Sequence, residues 1–324
     1  MLASQSRSQK IAARLSVPSE RSQSRFFRSV SWKSAVIWHL DRLIPLRAFV
    51  RPEGYMVDAL LASSGDELLT VDVQSKLVAW NAHTGELRRE AALGLPAGTH
   101  GEFTLRDAAF TPDGRILLAA YDNRESFKEW NRGLEEGTAL IARWDVVQAR
   151  VEEPVTLDAH WLNAVCIDET GRFAATPGAD DGTVDLWDLE NRKRLRVFTG
   201  YRGDYAVESP SALRVDSSKK LMVAAISQSV LSWDLLSGEL LHTLQGHEPL
   251  VNDVGIDPGT GWVASCSQRG IVVSDPRQGV VLRKLRQDGT DAVEFANSDA
   301  LLLSGAAEEK LTHASPYVRY LAEG

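Results

Sequence analysis

An all-β fold of repeated four-stranded antiparallel sheets is what the sequence predicts, and three features predict it. A Trp, or a residue in its place, recurs at positions 38, 80, 144, 187, 233, 274 and 313, at intervals of 42, 64, 43, 46, 41 and 39. Around each anchor, apolar and polar residues alternate over a few positions, the period of a half-buried strand. Between the alternations stand short turns such as FTPDGR (110–115), IDETGR (167–172), VDSSKK (215–220) and IDPGTG (256–261), rich in residues that reverse the chain. Four short strands per unit of about 40 residues is the pattern of a propeller blade. The unit repeats because one sheet cannot bury both of its faces alone, so neighbours must stack.

The units follow in order. IWHLDRLIPLRAF (37–49) matches LWDLENRKRLRVF (186–198) at a constant offset, setting Trp38 on Trp187, Arg47 on Arg196 and Phe49 on Phe198. This first unit, about residues 20–50, lacks clear inner strands. LVAWNAHTGELRRE (77–90), LIARWDVVQARVEE (140–153), TVDLWDLENRKRLRVFTG (183–200) and SVLSWDLLSGELLHTLQGH (229–247) give the next anchors: Trp80, Trp144 with Asp145, Trp187 with Asp188, and Trp233 with Asp234. GIVVSDPRQGVVLRKL (270–285) keeps the pattern and Asp275 but has Ser274 in the Trp place, and EKLTHASPYVRYL (309–321) puts His313 there. Seven anchors predict seven blades; the alternative is six, with residues 36–50 completing the last. The long interval holds an insertion, DNRESFKEWNRGLEEG (122–137), in the turn between the second and third strands of its unit. Its Phe127 and Trp130 are either an exposed interaction anchor or a pair folded back on the blade edge.

These residues resemble the WD-repeat β-propellers over about residues 36–321. The specific parts are the three Trp-Asp pairs, the Ser-Gly-Glu turn after Trp233, and Gly246-His247 ahead of Ser274. The resemblance implies a hydrogen-bonded network of His, Ser or Thr, a turn Asp, and the Trp. Here that set is eroded. Asp181 stands where the family has its turn Asp, but the equivalent places hold Gln74, Thr138, Ser227 and Gln268. His247 is in place, His100 is close to its place, and His160 is about two residues too near its strand.

Composition excludes several functions. Apolar residues make up 44% and charged residues 25% of 324, the profile of a globular chain. The net charge of −8 divides unevenly. Residues 1–34 carry seven Lys or Arg against Glu20, which leaves 29 basic and 43 acidic residues, net −14, in the remainder. An acidic body does not offer the basic stripe of a nucleic-acid interface. Cys166 and Cys266 are too few for a disulfide framework and too far apart for a zinc site. No apolar run reaches membrane-spanning length. The tail, with ten Ser and little apolar content, predicts disorder over residues 1–34 ahead of a propeller at 35–324. Its Arg-rich, acid-poor composition also suits a mitochondrial transit peptide.

No nucleophile elbow, zinc-protease helix, phosphate loop or dinucleotide fingerprint is present, and the seven His are scattered. Asp180, Asp181 and Asp185 in GADDGTVD read as a hairpin turn rather than a calcium loop. No catalytic, cofactor or metal site is therefore expected. A rigid ring suits recognition, and the expected function is a non-catalytic protein-interaction platform inside the cell, in the cytoplasm or nucleus. The alternatives are an eroded structural subunit of an assembly, or an enzyme with a site in the central channel. In WD-repeat proteins the face where each innermost strand begins commonly binds peptides. The positions implied by that resemblance are Arg106, Asn163, Asn252 and Asp291, with Trp161 and Tyr205 in adjoining loops and Trp130 in the insertion.

Overall fold

The computed structural model describes residues 26–30, 34–39, 44–50, 56–62, 65–96, 99, 103–122, 139–157, 162–180, 182–201, 209–248, 250–285, 292–295, 301–305 and 317–320. Among the described residues seven antiparallel sheets follow one another along the chain, and within each sheet every strand pairs with the next in sequence apart from one split outer strand. Sheet 1 holds β1 (Phe26–Val30), β2 (Ser34–His39) and β3 (Ile44–Val50). Sheet 2 holds β4 (Met56–Leu61), β5 (Glu67–Asp72), β6 (Lys76–Asn81) and β7 (Leu87–Ala92). In sheet 3, β8 (Thr104–Phe110), β9 (Ile116–Asp122) and β10 (Ala139–Asp145) are followed by an outer strand split into β11 (Arg150–Val151) and β12 (Val155–Leu157). The break falls at Pro154, which has no N–H for the ladder.

Sheet 4 runs β13 (Cys166–Ile167), β14 (Phe173–Pro177), β15 (Val184–Asp188) and β16 (Lys193–Phe198). Sheet 5 runs β17 (Ala212–Asp216), β18 (Leu221–Ile226), β19 (Ser229–Asp234) and β20 (Leu240–Gln245). Sheet 6 runs β21 (Val251–Ile256), β22 (Val263–Ser267), β23 (Gly270–Asp275) and β24 (Val280–Leu285). Sheet 7 is described through β25 (Ala292–Phe295), β26 (Leu301–Gly305) and β27 (Tyr317–Tyr320). First strands pack against first strands from sheet to sheet, β4 on β8, β8 on β13, β13 on β17, β17 on β21 and β21 on β25, while β1, which holds the second-strand place of sheet 1, packs on β4. This is the arrangement of a β-propeller, with first strands innermost.

Two details refine the expectations. Among the described residues sheet 1 has one strand, β1, inside its anchor strand β2, in the second-strand place, and β1 lies inside the stretch 1–34 that composition assigns to a tail; residues 1–25 lie outside the described residues. Phe26-Phe27 and Val30 supply the apolar positions that a Ser- and Arg-rich average conceals. Residues 123–137 of the insertion, His100, His160, Asp181 and His313 likewise lie outside the described residues.

The repeat is also visible in the hydrogen-bond register. The third and fourth strands slip by one residue between Ile37 and Trp38, Ala79 and Trp80, Leu186 and Trp187, Ser232 and Trp233, and Val273 and Ser274. The same bulge at Trp38 and Ser274 places both atypical copies on the common template. The Asp after the anchor caps the turn that follows. Asp145 accepts from Gln148 N (2.8 Å), Asp188 from Asn191 N (3.0 Å), Asp234 from Ser237 N (2.7 Å) and Asp275 from Arg277 N (2.8 Å). Asn81 does the same for His83 and Thr84.

Cores form between consecutive sheets. Trp144 packs toward sheet 2, Trp187 toward sheet 3 and Trp233 toward sheet 4, while Trp80 meets Phe49 of sheet 1. A second link joins the rims. The residue nine after each anchor reaches the third-to-fourth turn of the next sheet: Arg89 donates to Val146 O (2.9 Å), Glu153 pairs with Arg192, Arg196 donates to Leu236 O (2.6 Å), and His242 meets Arg277 O (3.1 Å). Gly238 shows why that turn favours glycine. Its φ is +76°, and a Cβ there would come within 2.6 Å of the Arg196 side chain.

Candidate functional site at the leading face

The edge where first strands begin, here the leading face, is built by a recurring irregularity. Register slips between Met56 and Asp58, Leu105 and Asp107, and Val251 and Asp253 leave Val57, Arg106 and Asn252 as extra residues. Each is followed by a buried carboxylate: Asp58, Asp107 and Asp253. A buried carboxylate needs donors, and neighbouring sheets supply them. Asp107 Oδ2 accepts from Val165 N of sheet 4 at 2.8 Å, and Asp253 Oδ2 accepts from Val293 N of sheet 7 at 3.3 Å. Asp253 Oδ1 also accepts from Arg214 Nη2 of sheet 5 at 3.0 Å. Ala164 and Ala212 hold the equivalent places in sheets 4 and 5. These carboxylates, which sequence reading passed over, hold the leading face rigid; the shared VDA, RDA and NDV triplets are their signal.

The expected contact residues divide. Arg106 is on this face, but its guanidinium donates from Nη2 and Nε to Asp122 Oδ1, at 2.7 and 2.8 Å. That pair ties the first strand of sheet 3 to the point where the insertion leaves, so the insertion departs and returns on the leading face. Asn163 is exposed just before β13, and Asn252 is half-buried. Leu250, one residue before β21 and 56% exposed, is an apolar contact candidate that motif matching missed. Trp130, Trp161, Tyr205 and Asp291 lie outside the described residues.

The anchor network is present in fragments. Trp80 Nε1 donates to Thr70 Oγ1 and Trp187 Nε1 to Thr176 Oγ1, both at 3.0 Å. Where Ala119 and Ala224 replace that hydroxyl, Trp144 Nε1 is buried with no partner in hydrogen-bonding geometry among the described residues, and Trp233 Nε1 turns to Thr199 O of sheet 4 at 2.8 Å. Sheet 6 keeps Ser265 and its His: His247 Nε2 lies 2.7 Å from Ser265 Oγ, with Ser274 in the Trp place.

Between sheets 5 and 6 the leading face opens into a cleft of about 590 Å³. Gln228 and Gln245 line it from sheet 5, His247 and Glu248 from the connection, and Arg269 and Lys284 from sheet 6. Arg269 Nη1 and Glu248 Oε2 are 3.3 Å apart at the exposed rim. Burial, with the Lys284 charge adding to it, pulls the His247 pKa down to about 4, so the ring is neutral at pH 7. An unfolded His titrates near 6.5, so the neutral ring favours the fold fully above that pH, and the contribution is lost as pH falls toward 4. The expected loss is about 3 kcal/mol. Chemical denaturation at pH 6.5 and 5 should show a smaller fall for His247→Gln than for the parent chain.

Among the described residues no group of three or more His, Cys, Asp or Glu could hold a metal ion, and Cys166 and Cys266 are buried and form no disulfide. No helix is long and apolar enough to cross a membrane among the described residues.

Comparison with known proteins agrees with this architecture. Residues 152–188 and 238–273 match the family described as WD domain, G-beta repeat. The first segment takes in β12, the second half of the split outer strand of sheet 3, and most of sheet 4; the second runs from the end of sheet 5 into sheet 6. The chain is similar to Protein MAK11 of Saccharomyces cerevisiae, 28% identical over 31% of this chain and 27% of that protein. It is also similar to GID complex subunit 7 of Schizosaccharomyces pombe (23% identical, 48% of this chain, 29% of that protein) and to the Lissencephaly-1 homolog of Caenorhabditis briggsae (26% identical, 32% and 26%). The matched region spans less than a third of the length of each of these relatives. The matched segments, the Trp-Asp anchors and the stacked sheets agree: residues 152–188 and 238–273 match WD repeats, and the chain resembles a WD-repeat β-propeller with degenerate repeats.

Proposed function

We propose that the protein is a non-catalytic interaction platform, a scaffold or adaptor subunit, that receives a partner protein on its leading face inside the cell. The observation that carries this reading is the row of bulged first strands. They present Val57, Arg106 and Asn252 on sheets clamped by buried carboxylates, with Leu250 exposed beside them. A surface that is held still loses little entropy on binding. Its mixed polar and apolar groups suit a protein partner. Similarity to a subunit of a named complex supports membership of an assembly.

The test is quantitative capture from cell extract with three baits: the parent chain, the N163A/L250A/N252A triple variant, and a V147A/L236A control. Val147 and Leu236 are exposed at third-to-fourth turns, on the opposite edge. The triple variant is expected to lose at least tenfold in captured partner at an unchanged melting temperature, while the control keeps its partners. Loss by the control alone would move the working surface to the other face.

A further inference from the structure

The cleft between sheets 5 and 6 opens at a boundary of unusual composition. At the boundary of sheets 4 and 5, Phe198 from the outer strand and Trp233 from the next sheet fill the space, ring centroids 5.5 Å apart. Phe49 and Trp80 do so between sheets 1 and 2, at 5.8 Å. Between sheets 5 and 6 the equivalent residues are Leu244 and Ser274, so both large rings are missing. It is the one boundary among the described sheets 1 to 6 with no Trp at the anchor. Val272 and Ser267 of the cleft wall lie two residues from Ser274 and Ser265, on the same face of sheet 6. The cleft thus opens beside the place where the other sheets seat an indole.

Its chemistry is polarised. Val272 and Leu285 are apolar, and Gln228, Ser229, Gln245 and Ser267 supply neutral hydrogen-bonding groups. Two cations and one carboxylate stand at it: Arg269, which pairs with Glu248 at the exposed rim, and Lys284, which has no carboxylate partner among the described residues and leaves the site one positive charge in excess. His247 adds no positive charge at neutral pH. On a body of net −14 this is a local cationic spot beside a hydrophobic slot. An aromatic ring gains from leaving water and from an apolar wall, while adjacent carboxylates gain from the two cations.

We propose that this cleft receives an aromatic side chain of a partner peptide, flanked by carboxylates. This deepens the platform reading and rests on it, by assigning a chemical class to one partner segment.

The probe is a fluorescein-labelled peptide, Glu-Glu-Trp-Glu-Glu, titrated with the full chain and read by anisotropy. Comparison arms replace the four Glu by Gln, or the Trp by Ala. Either replacement is expected to weaken binding at least tenfold. Lys284→Glu, a change at an exposed position, should remove the preference for the Glu arm over the Gln arm while leaving the melting temperature unchanged. Ser274→Trp, which returns an indole to this boundary, should weaken both Trp-containing arms at least tenfold. If that variant does not fold, the Lys284→Glu comparison decides alone. Absence of binding at millimolar protein, equal binding of the Trp and Ala arms, or indifference to Lys284→Glu would overturn the proposal. Asn163, Leu250 and Asn252 do not line the cleft. Failure here with the capture result intact therefore overturns the cleft assignment and leaves the platform standing.

Discussion

Trp233→Ala is expected to destabilise the protein by about 3–5 kcal/mol, as for the loss of a fully packed Trp elsewhere. The side chain is fully buried and packs among Leu213, Met222, Leu231 and, across the boundary, Phe198 and Leu186. Its removal opens a cavity between two sheets and deprives Thr199 O of the indole N–H that crosses that boundary. Trp80→Ala is the internal comparison, because Trp80 is partly exposed and its indole bonds within its own sheet. It should cost roughly half as much, since less area leaves water and less cavity remains. Urea denaturation measures both. Stacked repeats can lose cooperativity, so amide exchange should accompany it, with the Trp233 variant opening first in sheets 4 and 5. Equal costs for the two variants would mean that the anchors stabilise their own sheets and not the boundaries.

Asp253→Ala should be comparably damaging by a different mechanism. Its carboxylate joins three sheets, accepting from Arg214 of sheet 5 and from Val293 N of sheet 7 while standing on β21. Deletion leaves a mostly covered guanidinium without this carboxylate, a situation that typically costs about 3–5 kcal/mol. Arg214→Met in the same chain removes the stranded charge and should recover at least half of the loss, which a double-mutant cycle reads directly. If the double variant is as unstable as the sum of the singles, the pair is not the unit that couples these sheets.

What could be read from the sequence was whatever repeats in chemical kind. Anchors, turns and alternation are of that sort, and they located even Trp38 and Ser274, which the strand register then placed on the common template. The rim link nine residues after each anchor stayed hidden because geometry repeats there while chemistry does not: Arg89, Glu153, Arg196 and His242 solve one contact in different ways. Asp58, Asp107 and Asp253 were missed because an isolated carboxylate in a strand reads as a solvated residue. Only the backbone N–H of the neighbouring sheet explains its burial. Arg106 was legible as a position but not as a state, since its pairing with Asp122 depends on the register of two strands. The cleft is the extreme case. It arises where Phe and Trp are missing together, and a missing pair shows only when two units of the chain are superposed.

A partner received on the leading face must cover the bulged first strands. The most direct measurement is hydrogen–deuterium exchange of the chain, free and bound to a partner recovered by capture. New protection is expected at residues 56–58, 105–107 and 250–253, where the bulged first strands begin. Turns 146–149, 189–192 and 235–238 on the opposite edge should exchange as in the free chain. Protection of those turns with the first-strand bulges unchanged would contradict binding on the leading face.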